Sequence, residues 1–210
     1  MTPPPAAADT DPSDALADST LPVGLPLRRK VVLVMDLVES VRLMAANESS
    51  AVQRWHAFVQ HARGHVLPRH HGRHVKSLGD GLLAEFDSGP EALRAATALH
   101  GYFNESNLVA PSDQQFHLRA GLNAAEVYVD SIDIYGAGVN LAARVAALAG
   151  PDETVVTAEV RDLLTDGLDG EVHDMGECYL KHVPDPVRVW RVGATGPKPQ
   201  LTPGHEHSGA

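Results

Sequence analysis

Two acidic side chains in this 210-residue chain could together bind divalent cations. Asp36 follows an apolar run over residues 31–35, and Asp80 lies between two glycines. Carboxylate oxygens are the ligands that Mg²⁺ and Mn²⁺ prefer, and two carboxylates in one small space repel each other unless cations separate them. Two such ions can bind one phosphate, activate an attacking hydroxyl and stabilise a leaving oxygen. If the strands that carry Asp36 and Asp80 are neighbours, the sequence predicts a two-metal site.

A second set of side chains could bind a phosphorylated substrate. Asn140 and Arg144 are four residues apart in a helical pattern, so they share one face of the helix. An amide and a guanidinium group on one face suit a ribose oxygen and a phosphate that gains negative charge. Gly136 and Gly138 precede them, where a helix start leaves backbone N–H groups free.

Lys76 and Asp133 could read a nucleobase. A lysine only donates hydrogen bonds, and an ionised aspartate only accepts them. Adenine presents the acceptor N1 beside a donating amino group, whereas guanine presents the opposite pattern on that edge. The pair therefore favours adenine, because a mismatched edge would leave buried charges without partners.

Strands and helices alternate around these residues. Residues 27–35, 74–78, 82–86, 116–122, 126–129, 154–156, 172–180 and 187–192 are predicted as strands, and residues 40–47, 51–70, 91–103, 137–148 and 159–164 as helices. The turn 79–81 would join two strands into a hairpin. The pattern predicts the α+β class, with a mixed or antiparallel sheet and helices that cover one face of it.

Composition sets the boundaries of the domain and its surroundings. Residues 1–27 and 194–210 lack hydrophobic periodicity and are predicted to be disordered tails or linkers, which leaves residues 28–193 as one domain. A net charge of −10 argues against a nucleic acid partner. A single cysteine, no signal peptide and no membrane-spanning apolar run together predict a cytoplasmic protein.

The order and spacing of the candidate residues resemble one known family, the class III nucleotidyl cyclases, and in particular soluble bacterial adenylate cyclases. The resemblance runs from about Arg29 to Val192 and is strongest over residues 76–81 and 133–144. It implies a ferredoxin-like βαβ core whose central mixed or antiparallel sheet is covered by helices. It also implies a homodimer with two shared active sites, in which one subunit supplies the metal aspartates and its partner supplies the other groups.

The resemblance assigns a role to each candidate residue. It implies metal binding by Asp36, Asp80 and the backbone carbonyl of Leu37, adenine selection by Lys76 and Asp133, ribose orientation by Asn140, transition-state stabilisation by Arg144, and phosphate contacts by Lys181 and by the loop of Val38, Glu39 and Ser40. The implied reaction converts ATP to the second messenger 3′,5′-cyclic AMP and pyrophosphate, with two Mg²⁺ or Mn²⁺ ions per site. An upstream sensor domain could regulate it.

Three positions depart from the family pattern. Glu39 stands where the family usually has a small residue beside the triphosphate, so it could weaken nucleotide binding or point away. Residues 123–126 replace a more usual His-x-Gly-Glu run, and His182 replaces the glycine after Lys181. Glu39 keeps a second interpretation open, a catalytically weak nucleotide-binding regulatory domain. The third interpretation, guanylate cyclisation, is disfavoured by the base-reading pair.

Overall fold

The structure is a computed structural model that describes residues 24–165 and 171–193. The strands are β1 (Leu27–Leu37), β2 (Arg73–Ser77), β3 (Gly81–Phe86), β4 (Leu118–Val129), β5 (Ile134–Tyr135), β6 (Thr154–Thr157), β7 (Val172–Cys178) and β8 (Val187–Val192). The helices are α1 (Ser40–His61), α2 (Leu67–Arg69), α3 (Gly89–His100), α4 (Asn104–Val109), α5 (Ala137–Ala146) and α6 (Ala158–Arg161). The predicted C-terminal tail and residues 1–23 of the predicted N-terminal tail lie outside the described residues.

These strands form one sheet in the order β2-β3-β1-β4-β6-β8-β7, with β5 paired to β4. β4 and β6 run parallel, and the other paired strands run antiparallel. The mixed sheet and its interleaved helices confirm the predicted α+β class. In the two described ranges, none of the helices has both the length and the apolar character needed to cross a bilayer.

Helices pack against both faces of the sheet, so the prediction of one covered face was wrong. α1 and α3 bury the face of β1 that carries Leu33 and Met35. α5 packs through Ala142 against the opposite face, which carries Val32 and Val34. The continuous apolar run in β1 is the physical reason, because a strand buried on both sides has no polar face to alternate with.

Two element boundaries also differ from the prediction. The two helices predicted over residues 40–70 are one helix, α1, with a kink at Asn47 (φ −160°, ψ 88°), and a π-helical turn then leads into α2. The Asn47 side chain accepts a hydrogen bond from the Ser50 N–H (3.1 Å), which is how an asparagine interrupts and restarts a helix. The strands predicted over 116–122 and 126–129 are the single strand β4, because Asn123 stays paired with Val32 of β1.

Two glycines allow α5 to lie directly on β4. A Cβ atom at Gly121 would come within 2.2 Å of the Ala146 backbone nitrogen, and one at Gly138 within 2.4 Å of the Ala125 Cβ. Contacts this short are not tolerated, so any side chain at either position would push the helix away. The close packing fixes the position of the helix that carries Asn140 and Arg144.

Candidate active site

The two candidate metal aspartates lie next to each other at one end of the β1–β3 pair. Asp36 is paired with Gly81, the residue that follows Asp80. The Leu37 N–H donates to the Asp80 carbonyl oxygen (3.0 Å), which ties the end of β1 to the turn before β3. The register of two antiparallel strands thus brings together residues that are 44 positions apart in the sequence.

Arg119 holds the Asp36 carboxylate. Its Nε lies 2.6 Å from Asp36 Oδ1 and its Nη2 lies 3.2 Å from Oδ2, so the guanidinium binds both oxygens. Arg119 is opposite Asp36 in the β1–β4 register, and both side chains are partly buried. No spacing motif pointed to Arg119, since only the pairing of two strands distant in sequence brings it here.

The first turn of α1 holds the second carboxylate. The Ser40 hydroxyl donates a short hydrogen bond to Asp80 Oδ2. The candidate ligands at this end of the sheet are hard oxygen atoms, and the Asp36 carboxylate binds the Arg119 cation. In the described parts of the chain, no cluster of three or more His, Cys, Asp or Glu side chains is suited to bind a metal. The donor set of Asp36, Asp80 and the Leu37 carbonyl consists of hard oxygen atoms, the type that Mg²⁺ and Mn²⁺ prefer.

Lys76 and Asp133 form a direct ion pair. Lys76 Nζ lies 2.6 Å from Asp133 Oδ2, and the second carboxylate oxygen, Oδ1, accepts from the Ile134 N–H (2.8 Å). The pair joins β2 to the turn between β4 and β5, where Arg73 Nη1 also donates to the Ser131 carbonyl oxygen (3.2 Å). The structure therefore brings together the two side chains that the sequence suggested as a base-reading pair.

Asp130 shapes the turn that presents Asp133. Its Oδ1 accepts from the N–H groups of Ile132 (2.6 Å) and Asp133 (2.7 Å). The hydrogen bond from Ile132 makes the largest contribution to lowering the pKa of the Asp130 carboxyl, and the bond from Asp133 makes the next largest. The sequence interpretation did not include Asp130, although an aspartate that begins a short polar turn is a recognisable signal for this type of bonding.

Asn140 and Arg144 border a groove of about 460 Å³ beside α5. Its walls include Ala125 of β4 and, from the turn between β7 and β8, His182 and Pro184. Within the described ranges, the side chains of Asn140 and Arg144 make no hydrogen bond or ion pair, so both can bind a ligand there. Their common helix face, predicted from the sequence, is open to this groove.

The remaining candidates are in the predicted loops. Lys181 is exposed in the turn before His182, and it is His182, at a positive φ of 61°, that lines the groove. Val38 donates its N–H to the His117 carbonyl oxygen (2.9 Å), which fixes the loop before α1. Glu39 precedes α1 and forms an ion pair with Arg42 (2.8 Å).

The candidate metal aspartates lie outside the groove. The groove meets β4 at residues 123–125, whereas Arg119, beside Asp36, lies at the start of that strand. Neither Asp36 nor Asp80 is among the residues that line the groove. In one chain the aspartates and the groove are therefore separate parts of the surface.

Comparison with known proteins gives a consistent result. Residues 29–193 match the family model described as "Adenylate and Guanylate cyclase catalytic domain". The Rhizobium meliloti (strain 1021) protein named "Putative adenylate cyclase 3" is 32% identical over 170 residues, which are 78% of this chain and 28% of that protein. The chain spans about a quarter of the length of the curated relatives that it matches.

Solved structures share the fold. The crystal structure of an adenylate/guanylate cyclase/hydrolase from Silicibacter pomeroyi has a TM-score of 0.73 and 28% identity, and the match covers 81% of this chain and 99% of that one. The guanylyl cyclase Cya2 matches with a TM-score of 0.69 at 22% identity, over 83% and 96% of the two chains, and this likeness concerns the fold alone. The predicted family is confirmed: the chain belongs to the class III adenylate and guanylate cyclase catalytic domains.

Proposed function

We propose that this domain is an adenylate cyclase, which converts ATP to 3′,5′-cyclic AMP, pyrophosphate and a proton at two shared sites of a homodimer. The observation that carries the preference for ATP is the ion pair between Lys76 and Asp133 (2.6 Å). The relative named for adenylate cyclase supports it, while the structural neighbours include enzymes named for either nucleotide.

The hydrogen-bonding pattern of this pair matches adenine. Lys76 Nζ has further N–H groups besides the one that binds Asp133, so it can donate to adenine N1. Asp133 can accept from the adenine amino group, and its other oxygen is already oriented by the Ile134 N–H. Guanine would place its N1–H against the ammonium and its O6 against the carboxylate, which costs free energy on both sides.

The metal ions would be held by Asp36, Asp80 and the Leu37 carbonyl. When bound, Mg²⁺ or Mn²⁺ ions supply the charge that acidifies the ribose 3′-hydroxyl and neutralises the phosphates. Arg119 already supplies a guanidinium at the same place (2.6 Å from Asp36). The protein would therefore meet the triphosphate with positive charge from the chain as well as from the ions.

Other side chains would orient the substrate and stabilise the transition state. The 3′-oxygen forms a bond to the α-phosphorus in line with the bond to the β-phosphate oxygen, which breaks to release pyrophosphate. Arg144 would donate to the α-phosphate oxygens as negative charge develops on them, and Asn140 would hold the ribose. Lys181 and the loop of residues 38–40 would contact the outer phosphates.

A twofold dimer would complete each site. Neither Asp36 nor Asp80 lines the groove that Asn140 and Arg144 border, which leaves room for a partner subunit to supply the aspartates there. In a twofold pair each surface meets the other surface of its partner, so two equivalent sites form. The cytoplasm, with its ATP and reducing conditions, suits both this substrate and the free Cys178. An upstream sensor stays a prediction.

One assay tests this function. The purified protein is incubated with Mn²⁺ and either ATP or GTP, and the cyclic nucleotide and pyrophosphate are measured. We expect cyclic AMP with a clear preference for ATP. A double variant, Lys76→Gln with Asp133→Asn, can donate and accept at both positions, so its ATP-to-GTP preference should fall on the order of ten- to a hundredfold.

The control breaks an exposed ion pair of the same type on β7 and β8, with Asp174→Asn and Arg188→Gln. It should keep the wild-type preference. Binding of ATP without a cyclic product would instead support the regulatory-domain interpretation. A wild-type preference for GTP would show that the proposed role of the Lys76–Asp133 pair is wrong.

A further inference from the structure

Glu39 occupies a backbone position that favours glycine. It immediately precedes α1, with φ 52° and ψ 35° in the left-handed region. A residue with a side chain is disfavoured there relative to glycine. The next residue, Ser40, bonds to the Asp80 carboxylate, so the Glu39 backbone is one residue away from a contact with a candidate metal ligand. A third carboxylate at this point requires a physical explanation.

Arg42 binds the Glu39 carboxylate. Glu39 Oε2 lies 3.0 Å from Arg42 Nε and 2.8 Å from Arg42 Nη2, and Arg42 follows Glu39 by three residues, in the first turn of α1. Arg42 Nη1 donates to the Asp113 carbonyl oxygen (2.6 Å), which anchors the guanidinium from its other side. Arg42 thus balances the charge of the Glu39 carboxylate and holds it next to the first turn of α1.

The expected place of the triphosphate makes this arrangement consequential. Ions held by Asp36 and Asp80 would bring phosphates to the start of α1, where free backbone N–H groups also favour negative charge. A free carboxylate at Glu39 would repel phosphates bound at the start of α1, and its exposure to solvent would weaken that repulsion without removing it. The carboxylate needs a fixed cation.

We propose that Arg42 is a positioning residue that makes Glu39 compatible with nucleotide phosphates. The Glu39–Arg42 pair takes the place of a small residue at the phosphate loop, and Arg42 keeps the Glu39 carboxylate neutralised and turned away from the substrate. This inference rests on the proposed function, because it requires a nucleotide triphosphate at the start of α1. It predicts that the penalty of losing Arg42 depends on Glu39.

The test compares four proteins: wild type, Arg42→Ala, Glu39→Gly, and the double variant. The readouts are KM and kcat for ATP with Mn²⁺, and the Kd for 3′-deoxy-ATP, which lacks the attacking hydroxyl. Arg42→Ala should raise KM and Kd by about three- to tenfold with little change in kcat, because it exposes the Glu39 charge to the phosphates. The double variant should return both constants towards wild type, and Glu39→Gly alone should lower them.

Two further variants serve as controls. Arg42→Lys keeps a cation on Glu39 and should lie much closer to wild type than Arg42→Ala does. If Arg42→Ala fails to fold, Arg42→Gln removes the charge with a smaller loss of side chain and takes its place. Arg94→Ala breaks a pair of the same i, i+3 geometry on α3, between Arg94 and Glu91 (2.8 Å). It should leave KM and Kd unchanged.

Two results would overturn the inference. If the double variant is as impaired as Arg42→Ala, Arg42 acts independently of Glu39. If Glu39→Gly weakens Mn²⁺ binding in the absence of nucleotide, Glu39 is a metal ligand and not a neutralised bystander. A wild-type protein that makes no cyclic product contradicts the proposed function alone, because binding of 3′-deoxy-ATP by the four proteins still tests the pair.

Discussion

Each carboxylate at the candidate site has its own hydrogen-bond donor. The pairs are Asp36 with Arg119, Asp80 with Ser40, Asp133 with Lys76, and Glu39 with Arg42. Such pairing lowers the free energy of having several acids in one region. It also means that an ion at Asp36 and Asp80, or a base at Asp133, must displace or share the donors of those carboxylates when it binds.

Arg119 gives the clearest prediction at this scale. Replacing it with glutamine removes the guanidinium that binds both oxygens of Asp36. Mn²⁺ should then bind about three- to tenfold more tightly in the absence of nucleotide, because it no longer competes with a cation for the same carboxylate. A titration of free Mn²⁺ by electron paramagnetic resonance measures this. Unchanged Mn²⁺ affinity would show that the ion and Arg119 do not compete for Asp36.

At the scale of the elements, local patterns were predictable and long-range pairings were not. The Asn140–Arg144 face follows from a spacing of four within one helix, and α5 confirms that helix. Arg119 depends instead on the register between β1 and β4, and the groove depends on a turn about 40 residues beyond α5. Asn123 misled the strand prediction because its polar side chain is buried. There it donates to the Gly138 carbonyl oxygen (2.9 Å).

The β4–β5 turn leads to a second prediction. Asp130→Ala removes the oxygen that accepts from the N–H groups of Ile132 and Asp133. The turn should become mobile and Asp133 less well placed, so KM for ATP should rise about three- to tenfold and the preference for ATP over GTP should fall. Asp130→Asn keeps an accepting oxygen and should retain most of the affinity. Steady-state kinetics with both nucleotides checks this, and equal losses in both variants would contradict it.

At the scale of the whole molecule, helices cover the two faces of the sheet to different extents. α1 and α3 cover one face extensively, and α5 covers part of the other. The sequence predicted the class of the sheet, since its apolar runs and turns are local signals. It did not predict which face α5 covers, because a strand buried on both sides carries no alternation to indicate it.

The buried His100 links stability to pH. Its Nε2 bonds with Thr154 Oγ1 (3.0 Å), while its Nδ1 is buried and finds no partner among the described residues. Burial lowers the pKa of His100 to about 4, with a smaller opposing contribution from Asp152. The unfolded chain takes up a proton near pH 6.5 and the folded one resists it, so stability is lost as the pH falls from about 6.5 to about 4.

The expected loss is about 1–2 kcal/mol in the free energy of unfolding between pH 7 and pH 5. Urea unfolding at the two pH values measures it. His100→Gln has no titrating ring and should show a smaller loss, whereas the exposed His56→Gln should behave like wild type. An equal pH dependence in all three proteins would show that His100 is not responsible.

The shared site gives the last prediction, which concerns two chains together. Asp36→Ala removes a candidate metal ligand, and Arg144→Ala removes a candidate transition-state donor from the other half of the site. Each homodimer should lose at least about a hundredfold in kcat, because both of its sites contain the defect. In a heterodimer, one site carries both substitutions and the other carries neither.

Random exchange makes half of the dimers heterodimers, so mixing the two inactive proteins should restore about a quarter of the wild-type activity. Differently tagged variants, purified together through both tags, would contain only heterodimers and should reach about half. Arg144→Ala mixed with a second Arg144 variant should restore nothing, which controls for mixing itself. If tagged heterodimers form and still make no cyclic AMP, the aspartates and Arg144 do not meet across the interface, and the proposed shared site is wrong.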